Sequence, residues 1–190
     1  MMSDTLHNLL FLDIDGVLTS YSSGTSYLCE NPENYHVDQD CLSNLIRIAA
    51  GVPGLKVVVH SAWVNRMNDE HPSFEYRGKI YESPLPEVSE WLREYDLLLG
   101  YTAVGRLDKN GKKITKKTKI INWLDGHRGL LGPGSKALVL DDDVSFNDLP
   151  SINSITFSNN IVDDLKFLPI NHTMGLTKED AARAIEYFKG

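Results

Sequence analysis

Two acidic residues separated by one residue follow the first apolar run of the chain. Residues 11–17 read Phe-Leu-Asp-Ile-Asp-Gly-Val, so Asp13 and Asp15 stand at the end of a predicted strand. There a carboxylate can meet a metal ion and a phosphate group, and Gly16 lets the backbone turn sharply away. Because acid-glycine turns are common and calcium-binding loops use similar residues, this pattern alone is weak evidence for a site.

A second acidic group, Asp141-Asp142-Asp143, follows the apolar run 137–140. Three adjacent carboxylates at the end of a buried strand repel one another, so they need hydrogen-bond donors or a cation. A hard divalent ion such as Mg²⁺ meets that need with oxygen ligands. The alternative is an acidic N-cap for a following helix. Two acidic strand ends in one sheet favour the metal site.

Two further side chains are suited to hold an anion. Ser61 follows the apolar run 57–59 and His60, and its hydroxyl can donate to a phosphoryl oxygen. Lys116 opens a predicted helix, where free amides and the positive end of the helix dipole also attract anions. We interpret His60 as a structural residue at the end of the strand.

The choice of Lys116 is made among several neighbouring lysines. Six lysines and no acidic residue lie between Lys109 and Lys119. The spacing of Lys116 from the apolar residues of the helix favours it over Lys117 and Lys119. In isolation, such a run is more typical of a solvated loop and helix start.

The elements that must position these residues form an α/β pattern. Five apolar runs of strand length alternate with helical patterns, which indicates βαβ units and a mainly parallel five-stranded sheet covered by helices on both faces. The predicted strands are residues 9–13, 55–60, 101–104, 137–141 and 154–157. Ligands of such sheets bind at the carboxyl ends of the strands, where the acidic groups and Ser61 fall.

Caps and apolar stripes predict four helices. The first begins after Asp38 and ends at Gly51, and the second follows two prolines at 84 and 86. The third ends near Gly126, and the fourth begins at a weak capping box formed by Thr177 and Asp180. We expect the aromatic residues of these stripes to lie in the core.

Length and loops predict one domain. The 190 residues fit a single domain spanning 1–190, with loop insertions at about 19–37 and 64–83. Both insertions leave strand ends at which we place the chemistry, so they are candidates for substrate contact. No segment is long enough for a large separate cap.

Composition excludes several classes of protein. The chain is 42% hydrophobic and 24% charged, and no apolar run approaches the roughly 20 residues of a membrane helix. The polar residues 1–8 lack the features of a signal peptide, so we expect a cytoplasmic protein. Cys29 and Cys41 lack metal-ligand spacing, and we expect reduced thiols. The net charge of −7 argues against a protein that coats nucleic acid.

Together the motifs resemble those of a known superfamily. The order Asp-x-Asp-Gly-Val, strand-Ser, helix-opening Lys and strand-Asp-Asp is similar to the four motifs of the haloacid-dehalogenase-like (HAD) superfamily, across most of the chain. Four segments, 60–63, 120–124, 139–143 and 175–180, resemble a branch that includes phosphatase-like domains associated with RNA-repair proteins. Relatives commonly have Arg directly after Trp63, where this chain has Val64 and then Arg66 two places on. That departure bears on the substrate more than on the reaction.

The resemblance implies a three-layer Rossmann-like fold with at most a minimal cap, and a role for each motif residue. Asp13 would attack phosphorus and form an aspartyl-phosphate, and Asp15 would act as general acid and then general base. Ser61 and Lys116 would hold the phosphoryl oxygens. The Mg²⁺ ligands would be Asp13, the backbone carbonyl of Asp15, and Asp141 or Asp142. Dehalogenases lack the second acid of the first motif, so Asp15 favours phosphate transfer.

Three functions remain open at this point. The leading one is hydrolysis of a phosphomonoester on a nucleotide or on the end of a polynucleotide. An alternative is a small-metabolite phosphatase, acting on a sugar phosphate or free nucleotide, with residues 65–83 as a lid. The third is a module that binds a phosphorylated ligand without turnover, against which the pair of acids argues, because carboxylates repel an anion.

Overall fold

The computed structural model describes residues 6–26, 35–66, 73–76, 78–103, 111, 114–143 and 164–190. Among these residues there are seven strands and four α-helices. The strands are β1 (Leu6–Leu12), β2 (Leu55–Val59), β3 (Ser73–Tyr76), β4 (Lys79–Glu82), β5 (Leu98–Tyr101), β6 (Leu131–Asp141) and β7 (Asp164–Pro169). The helices are α1 (Gln39–Gly51), α2 (Leu85–Glu94), α3 (Lys116–Gly126) and α4 (Lys178–Lys189), and short 3₁₀ helices span Ala62–Arg66 and Arg128–Leu130.

Five strands form one parallel sheet in the order β5-β2-β1-β6-β7. All four pairs of neighbouring strands run in the same direction. The carboxyl-terminal halves of the central strands are buried, as in β1, whose residues Leu9 to Leu12 have no exposed surface. The predicted α/β fold with a parallel five-stranded sheet is therefore confirmed.

Helices cover both faces of this sheet. Alternate residues of β1 and its neighbours point to opposite sides, as the period of a strand requires. One face packs against α1, α2 and α4, and the other packs against α3, with Phe11 and Trp123 in edge-on contact at 5.6 Å. The buried position of Trp123 agrees with its predicted place in the core.

Two strands of the sheet differ from the sequence prediction. The third strand is β5, Leu98–Tyr101, which shares only Tyr101 with the predicted range 101–104. The predicted strand at 154–157 lies outside the described residues, and the fifth strand of the sheet is β7, which the pattern did not predict. Charged residues interrupt β7, but Lys166 is buried, with its Nζ 5.6 Å from the centroid of the Tyr187 ring.

Three helices confirm the predicted caps and stops, whereas α2 begins at Leu85 and includes Pro86 instead of following it. Asp38 caps α1 by accepting from the amides of the first turn, and α1 ends at Gly51. The capping box of Thr177 and Asp180 is present at the start of α4, since each residue's side chain accepts from the other's backbone amide.

The insertion predicted as a loop at 64–83 contains regular structure. After the 3₁₀ helix, β3 and β4 form an antiparallel two-stranded sheet. Gly78 lies between the two strands with a positive φ of 75°, the conformation that a tight turn needs. The prediction of an irregular segment was therefore wrong for residues 73–76 and 79–82.

Candidate active site

The carboxyl ends of β1, β2 and β6 meet at one edge of the sheet. The amide of Asp13 donates to the carbonyl of Leu140 at 3.1 Å, and the amide of His60 donates to the carbonyl of Leu12 at 3.0 Å. Pairing thus extends one residue past β1, to Asp13, and one residue past β2, to His60. Asp13, Asp141 and the His60-Ser61 pair leave the sheet at the same level.

The chain turns sharply after Asp13. The amides of Val17, Leu18 and Thr19 all approach the carbonyl of Ile14, at 2.8–3.3 Å. Gly16 has a positive φ of 73°, and a Cβ atom there would lie 2.4 Å from Oδ2 of Asp142. The absence of a side chain at Gly16 lets the Asp142 carboxylate reach the turn.

Asp13 is buried, with 2% of its surface exposed. The amide of Ile14 donates to its Oδ1 at 2.8 Å, and the ammonium of Lys116 donates to its Oδ2. Burial raises the pKa of Asp13, but the charge of Lys116 and these hydrogen bonds lower it more. Its net pKa lies below the ordinary value, so the carboxylate is ionised.

Lys116 is positioned by the start of α3. Thr115 caps this helix by accepting from the amide of Thr118 at 3.1 Å, which makes Lys116 the first helical residue. Its ammonium also donates to both carboxylate oxygens of Asp141, at 3.1 and 3.0 Å. Burial lowers the pKa of Lys116, but Asp13 and Asp141 raise it above its ordinary value, so the ammonium keeps its charge.

The hydrogen-bond partner of Lys119, another lysine of the run, differs from those of Lys116. Lys119 is buried and donates to Oδ1 of Asn65 at 2.7 Å, which ties α3 to the 3₁₀ helix after Ser61. Lys109, Lys112 and Lys113 lie outside the described residues.

Three carboxylates in the described part of the chain are arranged as a possible metal site. Asp13, Asp141 and Asp142 each offer one oxygen, and these oxygens lie within 4.8 Å of one another. Asp143 is not in this group, and its amide donates to Oδ1 of Asp141 at 2.7 Å. An all-oxygen set of this kind suits a hard cation such as Mg²⁺.

The electrostatics of the cluster also fit a cation. Burial and the charge of Asp13 raise the pKa of Asp141 to about 8, although Lys116 acts against the shift. The same two causes raise the pKa of Asp142. One ammonium therefore does not compensate three clustered carboxylates, and a divalent ion would supply the missing positive charge.

Asp15 lies beside this cluster in a different environment. Burial and the charge of Asp13 raise the pKa of Asp15 to about 7, although a hydrogen bond from Tyr35 lowers it. The Tyr35 hydroxyl donates to Oδ1 of Asp15 at 2.6 Å and accepts from Nε1 of Trp63 at 2.9 Å. Sequence reasoning missed Tyr35, because it lies 20 residues from Asp15 without any periodic relation to it.

Ser61 and His60 follow β2 and are both buried. The Ser61 hydroxyl oxygen accepts from the amide of Trp63 at 3.4 Å. Nδ1 of His60 lies 3.5 Å from Oδ2 of Asp141. Burial lowers the pKa of His60 to about 4, so the imidazole is neutral at pH 7.

Arg66 does not lie free at the mouth of the site. Its guanidinium donates to the backbone carbonyl of Ser73, the first residue of β3. Arg66 therefore connects the 3₁₀ helix to the hairpin.

Comparison with known families identifies the fold that carries these residues. A family model described as the HAD domain in Swiss Army Knife RNA repair proteins matches residues 9–181. The chain belongs to this family. The match includes every site residue predicted above and confirms the resemblance to HAD domains associated with RNA repair. Comparisons with curated proteins and with solved structures each gave no match.

Two properties of this HAD domain complete the description. In the part of the chain that the structure describes, the helices are too short or too polar to cross a bilayer. Cys41 is a buried free thiol, whereas Cys29 lies outside the described residues.

Proposed function

We propose that this HAD domain is a Mg²⁺-dependent phosphomonoester hydrolase that uses Asp13 as its nucleophile. The observation that carries the proposal is the placement of one ionised, buried carboxylate between an ammonium and two further carboxylates. Lys116 contacts both Asp13 and Asp141, and one oxygen each of Asp13, Asp141 and Asp142 lie within 4.8 Å of one another. Such a set suits an attacking carboxylate, a metal ion and a bound phosphate.

In the first step, a carboxylate oxygen of Asp13 forms a bond to phosphorus while the bond from phosphorus to the ester oxygen breaks. Asp15 gives its proton to the departing oxygen, which leaves as an alcohol. The pKa of Asp15, about 7, supports this role, because a large fraction of the carboxyl is protonated near neutral pH. The product of the step is an aspartyl-phosphate on Asp13.

In the second step, a water molecule attacks the phosphorus of the aspartyl-phosphate. Asp15, now ionised, takes a proton from that water. The bond between Asp13 and phosphorus breaks, inorganic phosphate leaves, and both aspartates return to their starting states.

Ser61 and Lys116 would hold the phosphoryl oxygens in both steps. The position of Lys116 at the first turn of α3 supports this, because the free backbone amides at the start of a helix also attract anions such as phosphate. Mg²⁺, held by Asp13, the carbonyl of Asp15, and Asp141 or Asp142, would screen the repulsion between carboxylate and phosphate.

For the substrate, we propose a phosphorylated nucleic-acid end, with RNA first. The family description, which refers to RNA repair proteins, supports this choice. The run of six lysines at 109–119, which includes Lys116, offers positive charge for neighbouring phosphates. With a net charge of −7, contact limited to an end is more favourable than coating of the polymer.

The test measures phosphate release by the full chain with Mg²⁺. The panel contains RNA and DNA oligonucleotides with a 3′ or 5′ phosphate, free nucleotides and sugar phosphates. We expect turnover of at least one oligonucleotide, and a loss of at least about a thousandfold in kcat for Asp13→Asn. Asp96→Asn is the matched control, because Asp96 lies on the surface and pairs with Lys56.

The same panel separates the other functions. Turnover of free nucleotides or sugar phosphates alone, with little dependence on salt, would indicate a metabolite phosphatase. Stoichiometric binding of a phosphorylated ligand without release of phosphate would indicate a binding module. Full activity of Asp13→Asn would contradict the assignment of the nucleophile.

A further inference from the structure

Three aromatic side chains from separate segments meet beside Asp15. The ring centroid of Tyr35 lies 6.1 Å from that of Trp63 in the 3₁₀ helix and 5.8 Å from that of Tyr81 in β4. Trp63 and Tyr81 are each only 4% exposed. The Tyr35 ring is therefore held by two buried partners.

Two consecutive hydrogen bonds run from Trp63 through Tyr35 to Asp15. The indole Nε1 of Trp63 is 2.9 Å from the Tyr35 oxygen, and that oxygen is 2.6 Å from Oδ1 of Asp15. An indole N–H can only donate, so the Tyr35 oxygen is the acceptor of the first bond. The hydroxyl proton of Tyr35 is then available for Asp15, to which it donates.

Because Tyr35 donates to Asp15, this hydrogen bond determines which carboxyl oxygen of Asp15 can carry a transferable proton. Oδ1 already accepts from Tyr35, so the proton of the neutral carboxyl is favoured on Oδ2. The hydrogen bond also opposes rotation of the carboxyl group. A general acid is effective only when its proton points at the departing oxygen, so both effects matter to the reaction.

The surroundings make the support rigid. Arg66 joins the 3₁₀ helix that contains Trp63 to the carbonyl of Ser73 in β3, and β3 pairs with β4, which contains Tyr81. The hairpin, the 3₁₀ helix and Tyr35 thus contact one another around Asp15. Site residues whose partners are themselves packed in this way keep their orientation.

We infer that Tyr35 is a positioning residue for Asp15 as general acid, and that Trp63 orients the Tyr35 hydroxyl. This inference rests on the proposed phosphatase function. It extends the site to Tyr35, whose ring lies against Tyr81 of the hairpin and whose hydroxyl donates to Asp15.

The test compares two leaving groups in the full chain. The leaving group of a phosphorylated oligonucleotide is an alcohol, which needs a proton as it departs. The leaving group of p-nitrophenyl phosphate is a stable phenolate, which needs little help from a general acid. For Tyr35→Phe, we expect kcat/KM on the oligonucleotide to fall by about ten- to a hundredfold. On p-nitrophenyl phosphate we expect a change within about twofold, because proton donation matters little there.

Three further variants define the pattern. Asp15→Asn should lower kcat/KM on the oligonucleotide, relative to that on p-nitrophenyl phosphate, by a larger factor than Tyr35→Phe does. Trp63→Phe, which keeps a ring but loses the N–H group, should lower it by a smaller factor. Tyr81→Phe is the matched control, because it keeps the ring beside Tyr35, and its ratio of the two kcat/KM values should equal that of the wild type. This ratio does not depend on the fraction of folded enzyme, so partial unfolding cannot imitate the effect.

Two results would overturn the inference. Equal losses on both substrates for Tyr35→Phe would indicate a structural role, and wild-type kcat/KM values on both substrates would show that the hydrogen bond is not needed. Failure of the proposed function itself looks different, because the wild type and Asp13→Asn would then be equally inactive on both substrates.

Discussion

Gly16 lies in a left-handed turn beside the Asp142 carboxylate, and both features make it hard to replace. Its φ of 73° is unfavourable for residues with a Cβ atom, by about 1–2 kcal/mol. A Cβ at this position would also lie 2.4 Å from Oδ2 and 2.6 Å from Cγ of Asp142. A methyl group at Gly16 must therefore displace a carboxylate that we propose as a metal ligand.

We predict that Gly16→Ala abolishes most of the Mg²⁺-dependent phosphatase activity. The reason is displacement of Asp142, which would loosen the cation site. Titration of Mg²⁺ against activity would show a weaker metal response as well as a lower kcat.

Gly54→Ala is the control for backbone strain. Gly54 has a similar φ of 69°, but a Cβ there would meet nothing within 4 Å. We expect this variant to lose stability, by about 1–2 kcal/mol, while keeping the activity and Mg²⁺ response of the wild type. An unchanged Mg²⁺ response in Gly16→Ala would contradict the prediction.

Single residues of the candidate site differ in how well the sequence predicted their neighbourhood. The proximity of Asp13, Asp141 and Asp142 followed from the rule that parallel strands end at one edge of a sheet. Lys116 was predicted from its place at a helix start, whereas its contact with Asp13 was found only in the structure. Tyr35 could not be predicted, since its contact with Asp15 depends on the path of a long connection and on packing against two other aromatic residues.

Among the helices, α1 has a cap whose strength depends on pH. Asp38 accepts from the amide of Asp40 at 2.9 Å, from the amide of Cys41 at 3.3 Å and from the hydroxyl of Ser20 at 2.9 Å. Burial raises the pKa of Asp38, but hydrogen bonds from the hydroxyls of Ser23 and Ser20 and from these amides lower it more. Its net pKa lies below the ordinary value of 3.8.

We predict that Asp38→Ala lowers the free energy of unfolding by about 1 kcal/mol near pH 6, within a range of roughly 0.5–2 kcal/mol. Because folding lowers the pKa of Asp38, the ionised cap stabilises the protein above the unfolded value. That stabilisation is lost as the pH falls through the folded value. Urea unfolding of both proteins between pH 6 and pH 3 should show the difference narrowing below pH 4.

The comparison with Ala isolates Asp38, because other carboxylates titrate in both proteins. Asp38→Asn, which can still cap a helix, should lose less stability than Asp38→Ala at pH 6. A difference between wild type and Asp38→Ala that stays constant from pH 6 to pH 3 would show that the charge of the cap is unimportant.

Strands with strong apolar patterns were predicted well, and β7, which contains charged residues, was not. The strands β1, β2 and β6 are continuous in Val, Leu, Ile or Phe near their ends, which identifies a buried parallel strand. In β7, the sequence Asp-Leu-Lys-Phe-Leu-Pro does not have the pattern of a buried strand. The burial of Lys166 depends on Tyr187 in α4, which is far away in the sequence. The hairpin has a usable signal in the alternating residues around Gly78, which are typical of two paired strands joined by a short turn.

The fold as a whole concentrates negative charge at one edge of its sheet. The chain has a net charge of −7, and Asp13, Asp15, Asp141 and Asp142 all follow or end two adjacent strands. Burial and Asp13 raise the pKa of Asp15, Asp141 and Asp142, which means that their ionised forms are less favourable in the folded protein. This arrangement lowers the stability of the folded protein near neutral pH, and a bound cation would restore that stability.

The stability of the whole molecule should therefore depend on Mg²⁺ and on Asp142. We predict that Asp142→Asn raises the thermal midpoint in EDTA, because the substitution removes one charge from a cluster that repels itself. Added Mg²⁺ should raise the midpoint of the wild type, by roughly 2–4 °C per kcal/mol of binding free energy for a chain of this size. Asp142→Asn should gain much less from Mg²⁺, so the order of the two midpoints should reverse or converge. Asp143→Asn, outside the group of three carboxylates, should keep the wild-type response. Equal Mg²⁺ shifts in the wild type and Asp142→Asn, measured by calorimetry, would show that Asp142 is not a ligand of the metal.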